Sequence, residues 1–320
     1  MSKKALLFIA LLVILLALLP VLGINDSITD ILILVLLYVT LSSSWNILGG
    51  YTGQTNLGHA AFFGLGAIAT RTLWLAGWNI FPSMLAGGTL AVVFSLIIGF
   101  PAFKLRGVYF AIGTLALAQI LNITVGNLFP ENSALSVDAL STYQLAPRYY
   151  LFLALAVITV ATCYFVVNSR LGLGLMAVRE EEDAAESLGV SALQHKLLAL
   201  GISAFFAGLA GGAYAYYQAS YYFSYPFSPE WTFDSMIMAY IGGTGTIFGP
   251  VFGAVFYVIL KQFLVMNVGE WHLIIFGVLF ILVVLFMPGG FIEFWKKAGV
   301  WFGKRSGKSR LQPPAGQLTS

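Results

Sequence analysis

Ten stretches of the chain are long, apolar and bounded by polar or glycine-containing positions: 5–23, 28–48, 57–77, 80–103, 107–128, 149–167, 197–218, 232–247, 249–267 and 272–287. A helix needs about 20 mostly apolar residues to cross a bilayer core. The pattern therefore predicts an all-α, polytopic membrane protein with about ten transmembrane helices. The shortest stretch, 232–247, ends in Gly242-Gly243-Thr244-Gly245. Such an end suits a half-helix or re-entrant segment enclosed by protein better than a lone helix in lipid. The first stretch starts with Lys3 and Lys4 and is apolar to Leu19, which is also how a signal peptide looks. No small-x-small site follows in Pro20-Val21-Leu22-Gly23-Ile24-Asn25, and the stretch is read as a retained span.

Composition agrees. Hydrophobic residues make up 59% of the chain and charged residues 9%, against about 25% charged in a soluble domain. Most of the exterior must therefore face the lipid membrane. The net charge of +3 gives no reason to expect nucleic acid as a partner. The positions of the charges say more. With the N-terminus in the cytoplasm, the inside segments hold Lys3 and Lys4, Lys104 and Arg106, Arg170, Arg179 and Lys196, and the basic run from Lys296 to Arg310. Only Arg71, Arg148 and Lys261 fall elsewhere, while Asp26, Glu131, Asp138, Glu230 and Glu270 lie outside. Cytoplasmic loops collect Lys and Arg, so both termini are expected in the cytoplasm. Two loops exceed turn length, 129–148 outside and 168–196 inside. Residues 1–303 read as one transmembrane domain and 304–320 as a disordered basic tail. Cys163 is the single cysteine, so no intramolecular disulfide can form.

The candidate chemistry is sparse. His59, His195 and His272 are far apart in sequence and none has metal-ligand spacing, so no metal site is expected. Gly307-Lys308-Ser309 lacks the leading glycine of a phosphate loop, which would fall at Phe302. No catalytic residue is assigned and no cofactor is expected in this chain. Coupled carriers bury ionisable groups in their spans, yet Asp30 and Asp234 both read as lying near span ends. Either flow is passive, or energy comes from a partner.

The inside loop offers a surface for such a partner. Glu180, Glu181, Glu182 and Asp183 suit the positive first turn of a helix. Ala184, Ala185 and Leu188 follow at i, i+1 and i+4, and Gly189 is a natural stop. The residues read either as a short docking helix or as a solvated charge run. Gln54, Thr55, Asn56 and His59 open a glycine-rich span. They are candidate pathway residues, or else they cap a broken helix. Thr114, Gln119 and Asn122 either face the path or bond between helices. Ala204, Gly208 and Gly212 form a ladder for close helix packing, as do Gly245, Gly249 and Gly253. The aromatic residues between Tyr214 and Phe233 read as an interfacial belt, with a vestibule as the alternative.

Arg179-Glu-Glu-Glu-Asp-Ala-Ala-Glu-Ser-Leu-Gly189 resembles the coupling loop of ABC importer permeases. Gly53-Gln54-Thr55-Asn56-Leu57-Gly58-His59, Leu105-Arg106-Gly107-Val108-Tyr109-Phe110-Ala111-Ile112 and Gly242-Gly243-Thr244-Gly245-Thr246-Ile247-Phe248-Gly249-Pro250 resemble three further segments of the LivM-type permease subunit of branched-chain amino acid importers. Asn56 stands where that family usually has Ser. Phe129-Pro130-Glu131-Asn132 replaces a Thr-Gly-Gly run, which leaves the substrate open between branched-chain amino acids and other small polar solutes. The resemblance implies a permease subunit of an ATP-driven importer in a bacterial inner membrane. It implies coupling to the ATPase through Arg179 to Gly189. It also implies a second, LivH-like permease subunit, two cytoplasmic ATPase subunits that bind the ATP, and a periplasmic substrate-binding protein. Read from the residues alone, the alternatives are an ion-coupled secondary transporter and a passive channel for a small neutral solute such as urea or an amide.

Overall fold

A computed structural model describes residues 3–135, 140, 141 and 143–271, with isolated positions between 274 and 290. Most of the expected last span, 272–287, and the tail 304–320 lie outside the described residues. The helices are α1 (Lys3–Leu18), α2 (Asp26–Gly49), α3 (His59–Leu75), α4 (Ile80–Ala102), α5 (Val108–Leu128), α6 (Leu145–Val167), α7 (Arg170–Glu180), α8 (Glu182–Ser187), α9 (Ala192–Tyr217), α10 (Pro229–Gly242) and α11 (Gly249–Val268). Six of them, α2, α4, α5, α6, α9 and α11, are long and apolar enough to cross a membrane. The all-α, multi-pass architecture is thus observed.

Several boundaries are set by local chemistry. Asn25 and Asn79 sit in extended backbone just before α2 and α4, and their side chains accept from the amides of Ser27 and Phe81. Each satisfies one of the orphan donors of a helix start. Helix α1 packs on α6, with the Tyr149 and Tyr150 hydroxyls donating to the Leu16 and Ala17 carbonyls.

Helices α2 and α9 form the centre. Of their apolar stretches 83% and 78% are buried, against 22% for α5. Helix α9 lies against α3 and α4, and small residues let the backbones approach. A Cβ added at Gly66 would strike the backbone of Gly208, and one at Gly208 would meet Ala91 Cβ at 2.8 Å. The ladder at Ala204, Gly208 and Gly212 is therefore a packing stripe. The second ladder is split: Gly245 lies in a loop at φ 75°, while Gly253 on α11 packs against the Met238 carbonyl of α10.

Helix α10 differs most from an ordinary span. Its 14 residues extend about 21 Å, short of a bilayer core of about 30 Å. It runs beside only the second half of α2. Asp234 in its second turn accepts from Tyr38, midway along α2, at 2.8 Å. The loop after α10 meets Asn46, near the end of α2. The chain reaches the start of α10 through strand β2 (Ser220–Tyr222) and a 3-10 turn at Tyr225–Phe227. This approach carries aromatic residues inward. Trp231 is buried, 4.7 Å from Phe63 and 5.1 Å from Tyr214 between ring centres, and Phe227 is fully buried. The expected interfacial belt is partly a core feature, although Tyr222 and Tyr225 stay exposed.

The short helix also changes the reading of Asp234. It lies beside the middle of α2 and not near the end of a span. Lys261 of α11 is 3.0 Å away, and the Tyr257 hydroxyl also donates to Asp234. This explains a basic residue that the loop pattern did not. Arg71 and Arg148, the other two exceptions, are buried near the far end of α9 and bond to backbone carbonyls.

Candidate functional site

The two chain breaks, 50–58 after α2 and 243–248 after α10, come together at one end of the bundle. Asn46 joins them. Its Oδ1 accepts from the Gly245 amide at 2.9 Å, and its Nδ2 donates to the Thr246 carbonyl at 2.9 Å. Gly50 is equally constrained, since a Cβ there would collide with the Asn46 amide oxygen and meet the Gly245 nitrogen. Gly49-Gly50 and Gly242-Gly243 stand at the starts of these two breaks. Nothing in the sequence marks Asn46 as the group that joins them.

The candidate pathway residues divide. Asn56, His59 and Thr114 are brought together. Gln54 and Thr55 lie in the break beside them and are half-buried, and Asn122 sits elsewhere on α5, with Nδ2 bonded to the Ser224 carbonyl at 3.3 Å. Three donors at the start of α3 find side-chain partners. Leu57 N donates to Thr114 Oγ1, Gly58 N to Asn56 Oδ1, and Ala60 N to Thr232 Oγ1. His59 Nε2 lies 3.0 Å from Ser44 Oγ. These bonds are what a broken helix needs in a low-dielectric interior. Asn56 Nδ2 remains buried without a partner. Asn56 and Thr114 line a cavity of about 10 Å³ with Phe62, Ser95 and Phe110. That is room for about one water molecule, far below the several hundred Å³ of a small-molecule pocket.

The loop 168–196 forms two helices rather than one. Glu181, in extended backbone (φ −159°, ψ 114°), separates α7 from α8. The first turn of α8 therefore holds Glu182 and Asp183, while Glu180 ends α7. Glu182 pairs with Lys196 of α9, whose ammonium is almost fully enclosed, and Asp183 makes an exposed pair with Arg106 at 3.4 Å. Ala185 faces inward and packs with Val178 and Ala192. Ala184 and Leu188, four residues apart, are exposed, Leu188 by 85%. The outward face is thus Ala184 and Leu188, without the Ala185 that the i, i+1, i+4 spacing suggested. Gly189 follows at φ 85° and suits the turn out of α8. Arg179 Nη1 donates to the Gly50 carbonyl at 2.8 Å.

At the opposite end Arg71 is fully buried and donates five hydrogen bonds. Nε goes to Ser133 Oγ, Nη1 to the Ala215 and Gln218 carbonyls, and Nη2 to the Ser133 and Ala219 carbonyls, all between 2.9 and 3.2 Å. It fastens α3 to the two-stranded antiparallel sheet of β1 (Asn132–Ala134) and β2. Burial pushes the nearby Tyr221 hydroxyl above its ordinary pKa, opposed by Arg71. Among the described residues, no group of His, Cys, Asp and Glu could hold a metal ion.

A family model described as the permease component of the branched-chain amino acid transport system matches residues 27–284. The chain is similar to the high-affinity branched-chain amino acid transport system permease protein LivM of Escherichia coli. Identity is 28% over 301 residues, covering 82% of this chain and 69% of the relative. The same-named protein of Salmonella typhimurium is 29% identical over the same shares of each chain. A probable branched-chain amino acid transport permease protein LivM of Methanocaldococcus jannaschii is 24% identical, covering 83% and 93%. No solved structure matches.

Proposed function

The chain belongs to the family of branched-chain amino acid transport permease components, a non-enzymatic multi-pass membrane subunit of LivM type, and we propose that it serves an ATP-driven importer of branched-chain amino acids. Two ATPase subunits supply the energy, a second permease completes the pathway, and an external binding protein delivers substrate. The membrane is the bacterial inner membrane, with both termini and the Arg179 end of the bundle in the cytoplasm.

The observation that carries this reading is α8. Leu188 is 85% exposed next to the buried Ala185. Here it sits beside Ala184 on a helix braced by Lys196 and Arg106. With Ala184 and Leu188 exposed among Asp183, Glu186 and Ser187, and tied down beneath, α8 suits a shallow groove on an ATPase subunit. The pathway itself is expected between this chain and the second permease, since the space beside Asn56 and Thr114 holds little more than a water. Asp234 gives little support to ion coupling: Lys261 and two tyrosine hydroxyls already occupy its oxygens, and a relay needs a carboxylate free to exchange its ion.

Leu188→Glu tests the docking surface. Residue 188 is exposed, so the chain should fold and insert. Capture of the ATPase on purification of the tagged permease should fall at least tenfold. Capture within twofold of the unmodified chain would remove α8 as the docking helix.

A further inference from the structure

Arg179 stands where the docking loop meets the transmembrane helices. It lies in the last turn of α7, two residues before the extended Glu181 that leads into α8. Its bond to Gly50 reaches the C-terminal cap of α2. The last carbonyls of a helix lack intrahelical partners and carry partial negative charge. A guanidinium is well matched to such an oxygen, and the bond is charge-assisted.

Glycines surround this side chain. A Cβ at Gly53 would lie 3.3 Å from Arg179 Cγ, and one at Gly245 would collide with Arg179 Nη1. Both glycines have left-handed backbone, φ 71° and 75°, which other residues rarely adopt. The Gly245 amide is held in turn by Asn46. One arginine therefore touches the end of α2, the break that leads into α3, and the loop that joins α10 to α11.

We propose that Arg179 is a positioning residue for transport, linking the docking loop to both chain breaks so that displacement of the loop moves them together. This rests on the reading of α8 as the ATPase docking helix. The other polar ties of the loop, Glu182 to Lys196 and Asp183 to Arg106, end on α9 and on the turn between α4 and α5. Those ties brace the loop against regular structure. Arg179 alone among these three reaches backbone that has left the helical hydrogen-bond ladder, where a small displacement changes the path of the chain instead of shifting a rigid helix.

The test uses the whole transporter in vesicles, with its partner subunits and radiolabelled leucine as probe. The quantity read is leucine moved per ATP hydrolysed. For Arg179→Gln this ratio should fall at least tenfold. Arg179→Lys should fall between, because an ammonium keeps the charge but not the planar fork. A docking or folding defect removes uptake and hydrolysis in parallel and leaves the ratio intact. An Arg179→Gln ratio within twofold of the unmodified transporter therefore overturns the inference, whether both rates are normal or both are low. Leu188→Glu serves as the separate control: unchanged ATPase capture in that variant overturns the docking reading, whatever Arg179 does.

Discussion

Arg71 and Arg179 sit at opposite ends of the bundle, and among the described residues neither pairs with a carboxylate. Arg71 is fully enclosed and spends every side-chain nitrogen on oxygens of two segments, Ser133 and residues 215–219. Arg179 is exposed, has one hydrogen bond, and lies among glycines. The chemistry is the same and the settings differ. An enclosed arginine with five bonds fixes its surroundings, since losing it strands several carbonyls at once. An exposed arginine with one bond can be displaced at little cost. The Arg71 end of the bundle is the more heavily tied of the two, and the role proposed for Arg179 places movement at the other end.

Arg71→Ala should break the comparison most severely. It leaves the carbonyls of Ser133, Ala215, Gln218 and Ala219 without this donor, and each buried unsatisfied group costs about 1–3 kcal/mol. The loss should reach about 3 kcal/mol or more, seen as a collapse in folded yield and melting temperature in detergent. A melting temperature within a few degrees of the unmodified chain would show that the clamp is not holding this end.

Gly208→Leu comes next. It forces α9 away from Ala91 and Gly88 of α4, and overpacking costs about 1–3 kcal/mol. Normal yield and normal uptake would mean that the contact between α4 and α9 yields more easily than its close packing implies. Arg179→Gln should cost least, about 1 kcal/mol for one partly exposed bond, with nearly unchanged melting. Its effect should appear in coupling and not in stability. A large melting shift would make Arg179 a second clamp and erase the contrast.

The sequence made most helices legible because hydropathy and length are enough to mark an ordinary span. Helix α9 and the Gly208 stripe follow directly from that pattern. At α10 the pattern marks a half-helix or short span at 232–247 without deciding between them or fixing its start, because apolar residues continue past the helix into the loop after Gly242. That ambiguity also hid Asp234, whose depth depends on where α10 begins. A lysine in the middle of an apolar stretch, Lys261, was the available signal, because such a charge needs a nearby carboxylate. For the loop 168–196, the acidic run and the small residues after it are readable. The break at Glu181 is not, and it is what turns Ala185 inward and leaves Leu188 outward. Asn56 stands out in sequence as a pathway residue or the cap of a broken helix, and Thr114 as a pathway residue or an interhelical bond; in the fold both accept from amides at the start of α3.

The central claim is that this chain works as a permease driven by ATP hydrolysed elsewhere. It is tested most directly by leucine uptake into vesicles holding the assembled transporter and its binding protein, with ATP supplied on the ATPase side and ionophores abolishing all ion gradients. The account predicts uptake that requires ATP and persists without gradients. Uptake that proceeds without ATP, or that vanishes when the gradients are collapsed, would contradict it.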